Sequence, residues 1–149
     1  AVVGFSNNDA IQIRQAGTPV RTIQVADRIP LVGVSLVTTR SLLDSRRQDL
    51  ETVVKASIKG MTAFVKDPDA AVEATKDHMD DLKVDQTQAA RAREVAVATG
   101  KLVSGDGSHP IGSVRVDDIA SMIEFLTSHK LLGDKKTPKA AEVCVPLAQ

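Results

Sequence analysis

Ser6-Asn7-Asn8-Asp9 places a hydroxyl, two amides and a carboxylate in four consecutive residues. Side chains of this kind can hydrogen-bond a polar ligand held against backbone N–H groups where a helix begins. The same residue types favour helix caps in any protein, and the two roles can coexist. Elsewhere the chemistry-bearing residues are dispersed. Ser104-Gly105-Asp106-Gly107-Ser108-His109 has neither the lysine and spacing of a Walker loop nor the alternating acidic ligands of a calcium loop. It reads as a flexible connection. His78, His109 and His129 lie far apart, without a second histidine at helix spacing, and read as surface residues. Ser35, Thr38 and Thr39 lack a GxSxG elbow, and Cys144 sits among apolar residues as an inert thiol. No catalytic residue, metal ligand or cofactor follows from these patterns.

The elements that must hold the polar cluster are legible around it. Val2-Val3-Gly4-Phe5 is an apolar run that ends in the cluster, as a buried parallel strand with a binding edge at its carboxyl end would. In open α/β sheets ligands sit beyond the carboxyl ends of the strands. An amphipathic helix follows over Ile11 to Gln15, and Gly17-Thr18-Pro19 makes a turn. Val20 to Ala26 alternates and is rich in β-branched residues; Leu31 to Thr39 is a second, longer run of strand character. Gly33 within it suggests a bend or a close backbone approach. No initiator Met, cap or turn leads into Val2, so the start is expected to be a cut one.

From Ser41 the pattern becomes helical. Leu50, Val53, Val54, Ile58, Met61 and Val65 form one apolar stripe, with Gly60 expected to mark tight packing. Asp67-Pro68 ends that helix and caps the next. Asp85, with Gln88 three residues later, resembles a capping box and opens a helix to about Ala98, closed by Gly100. Asp117 is expected to cap a final helix with the stripe Ile119, Met122, Ile123 and Leu126, and Gly133 lies just beyond its end. Strands first and helices afterwards suit the second half of a larger α/β protein.

Composition narrows the partners. The 149 residues carry 19 basic and 19 acidic side chains, a formal net charge of zero, and are enough for one ordinary domain. Zero net charge removes general attraction to nucleic acid or an anionic membrane, and the pairs Arg46-Arg47 and Lys135-Lys136 have acidic neighbours. With Phe5, Phe64 and Phe125 as the only aromatics, the core must be aliphatic and base-stacking platforms are improbable. One cysteine rules out an internal disulfide and a cysteine-based zinc site. No stretch reaches the ~18–20 apolar residues of a membrane span, so no stable membrane insertion is expected.

Val2 to Asp9 resembles the "AVVGxxxNxE" segment of the solute-binding proteins of ABC importers for thiamine-precursor pyrimidines, alkanesulfonates, taurine and nitrate. Further stretches are similar in the same order: Ile11 to Gly17, Leu31 to Thr38, Val53 to Gly60, Lys66 to Ala71, and Ile111-Gly112 leading to Ser121 to Leu126. The resemblance spans residues 1 to about 135, with the pyrimidine-type branch nearest. It implies an α/β, periplasmic-binding-protein-like (type II) two-lobe fold, of which this chain holds the C-terminal portion. Residues 1–32 would finish the second lobe, and 33–149 would cross the hinge and return helices to the first. The family's full chain is about twice this length.

The function so implied is the extracytoplasmic solute-binding component of an ABC importer. It is not an enzyme; it binds a small polar ligand such as a pyrimidine thiamine precursor or a sulfonate, and its partner is the permease. Localisation would be periplasmic, or extracytoplasmic on a membrane anchor. Asn7 and Asp9 are the leading ligand contacts, with Ser6 and Asn8 beside them, and Gly4 would permit close backbone approach. Asp9 stands where the pyrimidine-type proteins tend to carry Glu, and their ring-stacking Trp and Tyr are absent here. Two alternatives are an enzyme like the pyrimidine synthase of thiamine biosynthesis and a truncated interaction module that pairs with its own copies. The synthase would need a cysteine-rich iron-binding motif, against one cysteine in this chain.

Overall fold

Asp67 and Asp85 show most directly how this sequence builds its elements. In the computed structural model, which describes residues 1–30, 32–80, 83, 85–133 and 136–147, each opens a helix. Asp67 Oδ1 accepts the Ala70 N–H at 2.9 Å, and Pro68 occupies the first turn. Asp85 Oδ1 accepts from the N–H groups of Thr87 (2.8 Å) and Gln88 (3.2 Å). Gln88 does not return the bond; its Oε1 accepts from Arg91 instead, so this is a cap without a box. Replacing either aspartate by Ala is expected to cost about 1 kcal/mol of stability, read as a lower denaturation midpoint. An unchanged midpoint for both would remove capping as the reason these helices start where they do.

The chain divides into two units, one of residues 1–23 and 57–112, the other of residues 24–56 and 113–149. The helices are α1 (Asp9–Gln15), α2 (Arg40–Ser45), α3 (Arg47–Lys66), α4 (Pro68–Lys76), α5 (Gln86–Ser104), α6 (Val116–Ser128) and α7 (Ala140–Val143), with a 3₁₀ turn at Val25–Asp27. In the first unit α1 and α4 both pack against α5. Ala10, Ile11, Ala96 and Gly100 are buried there. Arg93 and Asp69 pair at 2.6 Å between α5 and α4, an exposed ion pair of small energetic weight. In the second unit α6 packs against α7, and Leu43 and Cys144 are buried.

The expected helices are present with shifted ends. α5 runs through Gly100 to Ser104 and ends at Gly105, whose positive φ of 56° is open to a residue without a Cβ. Gly100 is a contact glycine rather than a terminator: a Cβ there would meet Phe64 at 3.9 Å. Gly60 faces open space, so no tight packing explains it. Arg115, not Asp117, precedes the first turn of α6, and Asp117 lies inside it.

The α/β two-lobe expectation is overturned. The described residues are helical, and no strand or sheet occurs among them. Val2, Val3 and Phe5 are 75, 99 and 74% exposed, not a buried strand. Residues 20–24 and 32–39 are irregular, with a bend at Val34; Leu31, which opens the second run, lies outside the described residues, as does Lys135 of the basic pair. The physical reason is pairing. A helix satisfies its backbone hydrogen bonds within one segment, whereas a strand needs neighbours, and fewer than three are seldom stable in water. No described segment lies alongside these runs to accept their N–H groups.

Among the described helices, none is long and apolar enough to cross a membrane.

Candidate functional site

The polar cluster forms a hydrogen-bonded turn leading into α1. The Phe5 carbonyl accepts from the N–H groups of Asn8 (3.1 Å) and Asp9 (3.0 Å). In return Asp9 Oδ2 accepts the Phe5 N–H at 2.6 Å. These bonds fold residues 5–9 back on themselves and occupy two backbone donors that a helix start could otherwise offer a ligand. Gly4 makes room for the arrangement: a Cβ there would lie 2.7 Å from Asp9 Oδ2 and 2.9 Å from its Cβ. The close approach that Gly4 permits is therefore that of the Asp9 side chain.

Each of the remaining residues also has a structural partner. Asn8 Oδ1 accepts from Gln12 Nε2 at 2.7 Å, one turn along the helix. Asn7 Nδ2 donates to Thr99 Oγ1 at 2.8 Å, a part-buried bond that ties the turn to α5. Further along, Gln15 Nε2 donates to Glu94 Oε2 at 2.7 Å and Arg91 Nε donates to Gln15 Oε1 at 3.0 Å. Together with burial of Ile11, these bonds hold α1 on α5.

After these bonds, four polar groups of the turn make none among the described residues: the Ser6 hydroxyl, Asn7 Oδ1, Asn8 Nδ2 and Asp9 Oδ1. Ser6 is exposed; Asn7, Asn8 and Asp9 are half-buried. The set mixes donors and acceptors and carries one negative charge. Thr99, Gln12, Glu94 and Arg91 were not singled out from the sequence. Gln12 has a local signal, four residues after Asn8 on a helix; Thr99 meets the turn, and Glu94 and Arg91 meet Gln15 at the end of α1, only through folding.

The other sequence candidates stay apart. His78, His109 and His129 are exposed, and no group of three or more His, Cys, Asp or Glu side chains among the described residues could hold a metal ion. His129 lies at the end of α6, its ring 4.3 Å from that of Phe125 and its Nδ1 2.9 Å from the Phe125 carbonyl oxygen. In the 104–109 loop the hydroxyl and N–H of Ser108 both donate to Asp106 and hold its carboxyl below the ordinary carboxylate range. That is a self-contained turn. Cys144 is free and buried.

No curated protein and no solved structure matches the chain. Residues 1–71, which contain the whole polar turn, match the family described as NMT1/THI5 like. Over that stretch the chain is similar to this family, and the similarity supports a solute-binding or thiamine-related role.

Proposed function

We propose that the chain is the extracytoplasmic solute-binding component of an ABC importer and holds a small polar ligand at the Ser6–Asp9 turn. The observation that carries this reading is the family match over the segment containing that turn. The groups left unpaired suit a ligand with both donors and acceptors. The Ser6 hydroxyl and Asn8 Nδ2 would donate; Asn7 Oδ1 and Asp9 Oδ1 would accept. Asp9 favours a neutral or cationic ligand over a sulfonate, because an anion beside a carboxylate meets like-charge repulsion. An aminopyrimidine, which offers an amine donor and ring-nitrogen acceptors, is the ligand class we assign. Phe5 is 74% exposed and next to Ser6 in sequence, so it offers an apolar ring surface beside the polar groups.

Asp9→Asn separates binding from folding. The asparagine keeps an oxygen for the Phe5 N–H but removes the charge. Calorimetric titration with an aminopyrimidine is expected to show affinity weakened by about 1–3 kcal/mol, with the melting temperature nearly unchanged. Equal affinity in the wild-type chain and the variant, at equal melting temperature, would take Asp9 out of the ligand site.

A further inference from the structure

The polar side chains of the turn are held in two different ways. Asp9 is fixed by the Phe5 N–H and Asn8 by Gln12, each four residues away. Asn7 alone, among the described residues, is held from another element: Nδ2 donates to Thr99 Oγ1 at 2.8 Å, across 92 positions of sequence. Thr99 is half-buried on α5, beside the buried Gly100 and one turn on from the buried Ala96.

The Thr99 hydroxyl also departs from the pattern of other helical threonines in the chain. Thr52, Thr62, Thr75 and Thr127 each donate to the carbonyl four residues earlier in their own helix. Thr99 makes no such bond among the described residues, and its Oγ1 accepts from Asn7 instead. The bond to a carbonyl four residues back is within reach of any threonine inside a helix. Giving it up leaves the hydroxyl to serve the turn.

We propose that Thr99 is a positioning residue of the ligand site, orienting Asn7 so that Oδ1 is in place to accept from the ligand. The proposal rests on the reading that the Ser6–Asp9 turn binds an aminopyrimidine. A carboxamide is planar, so a bond to Nδ2 also settles where Oδ1 points. α5 is 19 residues long and carries both α1 and α4, a firmer base than the turn, which leads into a helix of 7 residues. Without the hydroxyl the Asn7 side chain samples other rotamers. Affinity then falls with the fraction of molecules that have Oδ1 in place. Thr99 lies outside residues 1–71, so this support does not belong to the family-matching segment.

Calorimetric titration with cytosine, an aminopyrimidine, tests the proposal in the wild-type chain and in Thr99→Val, Thr99→Ser, Asn7→Ala and Asn7→Ala/Thr99→Val. Thr99→Val keeps the side chain's shape and removes its hydroxyl. It is expected to weaken binding about 3- to 10-fold, the effect of leaving one side chain to be ordered by the ligand. Thr99→Ser keeps the hydroxyl and is expected to bind within about 2-fold of wild type. With Asn7→Ala already present, Thr99→Val is expected to change affinity by less than about 2-fold, because the group it positions is gone. A Thr99 that only supports the fold would weaken binding whether or not Asn7 is present. Wild-type affinity in Thr99→Val, or an equal loss on both backgrounds, would overturn the proposal and leave the turn as the ligand site. No binding of cytosine by the wild-type chain would overturn the reading of the turn and the role of Thr99 with it.

Discussion

Replacing Ile11 by Ala is expected to destabilise the first unit by about 2–5 kcal/mol, the usual cost of truncating a buried isoleucine. Ile11 is only 2% exposed, the least of the buried apolar residues. It lies in α1, a helix of 7 residues that is too short to be stable alone and depends on packing against α5. Its buried neighbours in the unit, Ala10 and Ala96, are small, so little nearby side-chain volume can refill the cavity. The polar bonds around it are mostly exposed and contribute less per group. Denaturation followed by circular dichroism, with amide exchange across residues 5–16, measures both the total loss and the release of α1. A cost below about 1 kcal/mol would mean that side-chain hydrogen bonds, and not apolar burial, hold the helix.

Gly112→Ala is the second large effect, and two independent causes add. Gly112 has φ of +80°, in the left-handed region that costs an L residue roughly 1–2 kcal/mol. An added Cβ would also lie 2.6 Å from Ile58 Cγ1 and 3.0 Å from its Cδ1, closer than real atoms pack. Relieving that contact means moving a half-buried side chain of α3, at about 1–3 kcal/mol. The total expected is about 2–5 kcal/mol. Gly17→Ala is the internal control: φ is +83°, close to that of Gly112, but open space surrounds the position, so only the backbone cost applies. Equal losses at the two sites would show that Ile58 yields freely and that Gly112 is kept for its backbone conformation alone.

The helical half of the fold was legible because its signals are local. Asp67-Pro68 and Asp85 announce helix starts through bonds that span two or three residues, and the stripe of α3 repeats within its own turns. The strand expectations failed for the opposite reason. Val20 to Ala26 and residues 32–39 have strand composition, but a strand is completed by a neighbour, and no neighbouring segment is in place among the described residues. Gly100 shows a subtler limit. A glycine late in a helical pattern resembles a terminator, yet here it is buried near Phe64 with the helix continuing beyond it.

The polar turn was legible as a cluster of chemistry but not as a geometry. Its residue types suggested either caps or ligand contacts, and the structure gives each amide and the carboxylate one internal partner while leaving a second atom unpaired. The side-chain bond from Asp9 to the Phe5 N–H makes Gly4 necessary, a link that the pattern of four polar residues does not contain. The bond from Asn7 to Thr99 crosses most of the first unit's sequence and is set only by the docking of α1 on α5.

The central claim is that the Ser6–Asp9 turn binds a small polar solute. Two-dimensional amide NMR of the chain titrated with an aminopyrimidine, with taurine as the anionic control, tests it most directly. Saturable shifts at Phe5 to Asp9, extending to Thr99 through the Asn7 bond and absent with taurine, are the predicted result. No saturable shift in residues 5–9, or shifts confined to the open groove of about 440 Å³ lined by Ala120, Ile123, Thr127 and Pro138, would contradict it.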